Sequence, residues 1–175
     1  MSLPSSVLEL ISTAPAVGFS GSRSVVPPVV SAAVAGASGR VLVGCARGVD
    51  AAVRALVPGA SVFSASSFGV GRGSFAARSS ACVRAVFAAG GVWVSFPSPG
   101  RVPSGLFPSA SSSRCFCGSG SGSWASLAFA VGLGCPCVVF SPCSVGCFRL
   151  SQWGFVSAGG GWFVFRPSAV QLSLF

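Results

Sequence analysis

Short runs that are apolar almost throughout alternate along this chain with longer, Ala-rich stretches, and that alternation limits its folding more than any other feature. The runs are Ala16–Ser20, Val41–Gly44, Ser61–Ala65, Val92–Phe96 and Cys137–Phe140. A strand apolar on both sides needs cover on both faces, which a parallel sheet layered between helices provides. The intervening stretches predict helices at about Val26–Ala37, Asp50–Val57, Ser74–Ala89 and Ser123–Gly132. Pro27 and Pro28 fit only in the first turn of theirs. The expected fold class is therefore α/β: a doubly wound, mostly parallel sheet of about five to six strands with helices on both faces. A last apolar run, Trp162–Phe165, follows Gly159-Gly160-Gly161 and reads as an edge strand or as half of a C-terminal hairpin with Gly154–Ser157.

At 175 residues the chain has the length of one domain. Within 1–175, residues 16–141 form the expected core, 98–122 a Ser/Pro/Gly-rich loop and 142–175 a C-terminal extension. The loop exceeds the usual length of an unstructured connection in a compact domain. Turns at Ser98-Pro99 and Val102-Pro103 either fold it back as a lid over the Gly-rich segment behind it or leave it a plain surface insertion.

Composition removes whole classes of chemistry. The sequence has no His, hence no Ser-His-Asp triad, no Cys-His pair and no HExxH zinc helix. Glu9 and Asp50 are the only side-chain carboxylates, so a two-metal carboxylate site is nearly excluded. The basic residues are all Arg, which rules out a Walker A lysine and the P-loop route to ATP hydrolysis. A formal charge of +9, spread from Arg23 to Arg166 without a basic tract, favours anionic partners; biased codon composition explains it equally well.

The mean hydropathy of +0.80 raises the question of a membrane. Its strongest stretch, Ala125–Phe140, is shorter than the roughly 18 residues of a spanning helix and is broken by Gly132, Gly134 and Pro136. The N-terminus carries Glu9 and no basic region of the signal-peptide kind. The expectation is a cytoplasmic protein with no membrane partner. Its eight cysteines (45, 82, 115, 117, 135, 137, 143 and 147) then read as reduced thiols. The C-x-C spacing of Cys115/Cys117 and Cys135/Cys137 is not that of a zinc knuckle, so neither a metal nor a cofactor is expected.

Three junctions between a strand and a helix carry the small residues a phosphate binder needs. Gly18-Phe19-Ser20-Gly21-Ser22-Arg23-Ser24 lets the backbone turn sharply, offers free amides and adds a charged fork in Arg23; it reads also as an ordinary tight turn. In Gly44-Cys45-Ala46-Arg47-Gly48-Val49-Asp50, the aspartate either caps the helix or receives a ribose hydroxyl, and Arg47 meets either a phosphate or solvent. Gly118-Ser119-Gly120-Ser121-Gly122-Ser123-Trp124 supplies convergent amides and hydroxyls, or is a flexible linker. Trp124 stacks on a base or anchors its helix in the core.

Read in order, these segments resemble the SLOG superfamily of Rossmann-like nucleotide-binding domains, closest to the DNA-processing protein A (SMF) type and more distantly to the LOG family. Gly21-Ser22-Arg23 is similar to that type's GSR, Gly44-x-Ala46-Arg47-Gly48-Val49-Asp50 to its G-x-A-x-G-I-D turn, and Ala77-Arg78-Ser79 to the segment around its RNR. Gly120-Ser121-Gly122-Ser123, with Ala130, Gly134 and Pro136 downstream, is similar to SGS-x-x-T-A…G-x-P-V. The glutamate that LOG enzymes carry after P-G-G-x-G-T has no counterpart here, and Val53-Arg54 stands where DNA-processing proteins have Ala-His.

The resemblance implies binding of a nucleotide or nucleotide-derived phosphate ligand at the carboxyl edge of the sheet, as a sensor or regulatory module rather than an enzyme. The candidate ligand-binding residues are Gly21, Ser22, Arg23, Gly44, Arg47, Gly48, Asp50, Gly120, Ser121, Gly122 and Ser123, with no catalytic residue assigned. Two alternatives stay open: a single-stranded DNA surface built on Arg72, Arg78 and Arg84, and a nucleotide-processing hydrolase using Asp50. Few charges among many apolar residues also predict a homo-oligomer, the alternative being a poorly soluble monomer.

Overall fold

The computed structural model describes residues 2–142 and 147–168; within the expected C-terminal extension, 143–146, Cys143 included, and 169–175 lie outside the described residues. The chain runs α1 (Ser5–Thr13), β1 (Ala16–Gly21), α2 (Val29–Gly36), β2 (Arg40–Gly44), α3 (Val49–Leu56) and β3 (Ser61–Phe63). A 3₁₀ turn (Ala65–Phe68) leads to α4 (Arg72–Ala88), β4 (Val92–Phe96), α5 (Ser112–Cys115), α6 (Gly122–Leu133) and β5 (Cys137–Phe140). The short α7 (Cys147–Gln152) precedes the hairpin β6 (Val156–Gly159) and β7 (Trp162–Phe165).

The strands form one sheet in the order β3-β2-β1-β4-β5-β7-β6. The first five are parallel, and β7 adds antiparallel to β5 with Cys137 opposite Phe165. The α/β, Rossmann-like expectation is met, but among the described residues the sheet has seven strands rather than five to six. The C-terminal hairpin closes an edge of β5 that would otherwise expose Cys137–Phe140, so this part of the extension belongs to the domain core. Sequence reading also missed α1, whose Val7, Leu10 and Ile11 recur at helical spacing and are buried.

Two apolar layers flank the sheet. Val7, Ile11, Val30, Ala33, Val49 and Val53 from α1, α2 and α3 cover one face; Cys82, Val83, Val86, Leu127 and Phe129 from α4 and α6 cover the other. Every residue from Ser123 to Val131 is buried, so α6 is enclosed on all sides. Its apolar circumference meets α4, the sheet and the 98–122 loop instead of lipid. That loop is bedded down: Val102 and Leu106 are buried, and the backbone of Ser109 lies so close to Gly132 that a side chain there would clash. Pro103 packs on Gly120, so this part of the loop folds back onto the Gly-rich segment. Gly134 ends α6 in the left-handed region at φ 81°, with its N–H directed to Ala130 and Val131 carbonyls. Among the described residues, no helix is long and apolar enough to cross a membrane.

The order of the sheet sets the site. The chain moves outward from β1 to β2 and β3, then returns to place β4 on the other side of β1. Helices leaving β1 and β4 therefore diverge to opposite faces, and a crevice opens at the carboxyl ends of these two strands.

Candidate functional site

A cavity of about 210 Å³ occupies this crevice. All three Gly-rich corners reach it: Gly21, Ser22 and Arg23 from the first, Gly44 and Asp50 from the second, Ser121, Gly122 and Ser123 from the third. Gly120 lines a second cavity of about 410 Å³ that shares Arg23, Arg78, Ser79, Ser121 and Gly122 with the first. Arg47 is exposed, and neither it nor Gly48 lines either space.

The corners meet, but amides of the first two are already engaged within the protein. At the end of β1 the Ser22 N–H bonds Phe96 O at 2.8 Å, while Ser22 O accepts the Val49 N–H at 3.0 Å. The Ser22 hydroxyl accepts from the amides of Ser24 and Val25 at 3.2 and 3.0 Å and from Ser98 Oγ at 3.3 Å. Ser22 is thus a knot tying β1, α3 and the start of the 98–122 loop. Gly48, at φ 74°, presses against the Ser22 carbonyl, where any side chain would collide with backbone. A Cβ at Gly21 would stand 2.5 Å from Val49 Cγ2. These two glycines allow the first two turns to pack against each other, and Gly21 lines the cavity while Gly48 does not.

The third corner differs. Ser121 is the N-cap of α6: its hydroxyl accepts the Trp124 N–H at 3.4 Å and its carbonyl accepts the Ala125 N–H at 3.1 Å. The first-turn amides of Gly122 and Ser123 have no carbonyl one turn back to bind, and both residues stand in the cavity wall. Trp124 turns inward, 3% exposed, edge-on to Trp153 at 6.4 Å, which fulfils the core reading.

The Asp50 cap expected from sequence is absent. Gly48 is the N-cap position of α3, and Asp50 Oδ2 instead accepts the Ala46 N–H at 3.2 Å, bracing its own loop. The same oxygen lies 3.9 Å from Arg78 Nη1, and both side chains are 8% exposed. Gly44 makes this pairing possible: a Cβ there would stand 2.5 Å from Asp50 Oδ2 and 2.9 Å from Arg78 Nη1. Burial pushes the Asp50 carboxyl above its usual range, with the Ala46 N–H and the charges of Arg78, Arg54 and Arg23 pulling it back. Arg54, over which the sequence departs from the DNA-processing pattern, donates to Gly44 O at 2.7 Å and holds the end of β2.

Arg78 is the residue that sequence reasoning misplaced. Arg72, Arg78 and Arg84 stand six positions apart on α4, and six residues of α-helix turn the side chain by about 120° each time. They face three directions rather than one groove. Arg72 is exposed at the rim of the outer cavity, and the Arg84 guanidinium lies 5.0 Å from the Phe129 ring centroid. Arg78 points inward, 6% exposed, donating to Cys45 Sγ at 3.3 Å and to Ser79 Oγ at 3.2 Å. Its Nε is buried with no hydrogen-bond partner. The sequence signal was present: Ala77-Arg78-Ser79 sits between Ser74 and Ser80, two further buried polar residues on an Ala-rich helix.

Cys45 was also missed as part of this network. Against the upward pull of partial burial, the Ala65 N–H at 3.2 Å and the charge of Arg78 hold its thiol below the ordinary cysteine range. Cys82, deeper in the wall, is pushed up to about 12, chiefly by burial. Among the described residues, no group of three or more His, Cys, Asp or Glu side chains is placed to hold a metal.

Fold and site together define an α/β protein of Rossmann-like architecture with a basic, serine-rich crevice at its topological switch point. In comparisons with protein-family models, curated proteins and solved structures, none matches this chain.

Proposed function

We propose that this chain is a binding module for a small anionic ligand, a nucleotide or nucleotide-derived phosphate, held at the carboxyl edge of β1 and β4. The observation that carries the reading is Arg78. A guanidinium 6% exposed, with Nε unsatisfied and, among the described residues, one carboxylate beside it at 3.9 Å, is costly to bury unless another acceptor completes its shell. A phosphate oxygen is such an acceptor, and the cavity adds Arg23 and the first-turn amides of α6. The SLOG-like segments at Gly21-Ser22-Arg23, Gly44–Asp50 and Gly120–Ser123 support the same class of ligand. Asp50 serves here by holding Arg78 and the Ala46 loop in place, so the proposal is recognition, in a sensor or regulatory role, rather than turnover.

Mass spectrometry of small molecules released when the purified protein is denatured tests this first. Calorimetric titration of the full chain and of Arg78→Met with nucleoside monophosphates tests it second. Binding that Arg78→Met abolishes supports the proposal. Affinity that instead grows with oligonucleotide length and ignores Arg78→Met transfers it to the single-stranded DNA reading.

A further inference from the structure

The outer cavity has a different chemical character from the inner one. Phe75 on α4 and Phe116 after α5 contribute aromatic surface, while Gly118, Ser119 and Gly120 supply a wall almost without side chains. Phe116 packs edge-on against the buried Phe129 ring at 6.4 Å, which fixes its orientation. Phe75 is 43% exposed, unusual for an aromatic residue on an otherwise Ala- and Ser-rich helix. Arg23 straddles the two spaces: it lines both, and its guanidinium lies 5.1 Å from the Phe75 ring centroid.

Resting on the phosphate reading above, we infer that the outer cavity is a subsite for the planar base of the ligand, stacked on Phe75 and edged by Phe116, while the phosphate sits beside Arg78 within. A space bounded by rings and nearly bare backbone suits a flat group. Arg72, Arg23 and Ser119 on its margin supply donors for the nitrogen and oxygen acceptors of a base. An alkyl tail would desolvate those donors without pairing them, and is disfavoured for that reason. Arg23, Arg78, Ser79, Ser121 and Gly122 line both spaces, so the two adjoin along a shared wall and can serve the two ends of one ligand.

Calorimetry with three probes on the full chain separates the parts: inorganic phosphate, adenosine monophosphate and adenosine. Wild type is expected to bind the monophosphate at least about tenfold more tightly than phosphate, consistent with stacking on one aromatic ring. Phe75→Ala should remove about that factor for the monophosphate and leave phosphate binding unchanged, and Phe75→Trp should restore it. Circular dichroism checks that both variants fold. If Arg78 governs binding of phosphate and monophosphate while Phe75→Ala weakens both equally or neither, the base subsite is overturned and the phosphate site stands. If adenosine alone binds in a Phe75-dependent way and phosphate does not, the subsite stands and the phosphate reading falls. No binding of any probe overturns both.

Discussion

Asp50 Oδ2 and Arg78 Nη1 face each other at 3.9 Å across the missing side chain of Gly44. Residues from the second βα corner and from the middle of α4 are thereby joined at the floor of the crevice. Removing the cation leaves a buried carboxylate without its partner, so Arg78→Met should destabilise the protein by about 1–3 kcal/mol. Asp50→Leu added to Arg78→Met should recover part of that loss, because two apolar groups replace two charges. Urea midpoints of the single and double variants measure it; strict additivity of the two single losses would show that the pair is not coupled.

The raised pKa of Asp50 sets a sign for the pH dependence. Its folded-state carboxyl holds a proton to higher pH than the unfolded one, mainly through burial, so in that window the native state binds more protons. Stability attributable to this group is therefore greatest at acid pH and declines from about pH 4 upward until the folded pKa is passed. Asp50→Asn should flatten that decline. Unfolding curves across pH check this, and a rise in stability over the same window that Asp50→Asn leaves untouched would falsify it.

Cys45 and Cys82 should react very differently. The Ala65 N–H and Arg78 favour the Cys45 thiolate, whereas burial moves the Cys82 thiol to about 12. Alkylation by iodoacetamide, followed residue by residue in the mass spectrometer, should reach Cys45 at lower pH than a free cysteine and scarcely reach Cys82. Arg78→Met should move the Cys45 profile toward higher pH. An unchanged profile would mean that the 3.3 Å contact does not influence the thiol.

Two glycines in the same cavity wall should respond in opposite ways to alanine. Gly44→Ala inserts a methyl group among Asp50 and Arg78 and should lower Tm, displacing the ion pair. A Cβ at Gly122 meets nothing within 4 Å, so Gly122→Ala should fold normally and alter only ligand affinity. Thermal melts paired with titration decide the matter, and equal Tm losses would remove the distinction between a packing glycine and a wall glycine.

Much of the scaffold was legible because strand burial has a plain signature. Val92–Phe96 and Cys137–Phe140 are bounded as the apolar runs suggested, since a strand covered on both faces is apolar at nearly every position, Ser95 being the exception. Helix α1 was less legible: it is a short element between Pro4 and Pro15, and its apolar face gains its partners, α2 and β7, only in the folded chain. The site was half legible. Gly, Ser and Arg at strand ends marked where chain turns gather, but not what each residue does there. Ser22 and Gly48 turned out to bind each other's turns, and Arg78 left the expected basic surface for the interior.

The amino-acid order by itself determined the alternation of buried strands and covering helices, the exclusion of histidine chemistry and the excess of positive charge. These are properties of local pattern and composition, which need no knowledge of distant neighbours. Only the tertiary structure decided that three corners open on one crevice, that Asp50 pairs with Arg78 instead of capping α3, and that Arg78 is buried. Those outcomes depend on strand order and on the direction in which each helix leaves the sheet, and residues 28 positions apart become neighbours only when that topology closes.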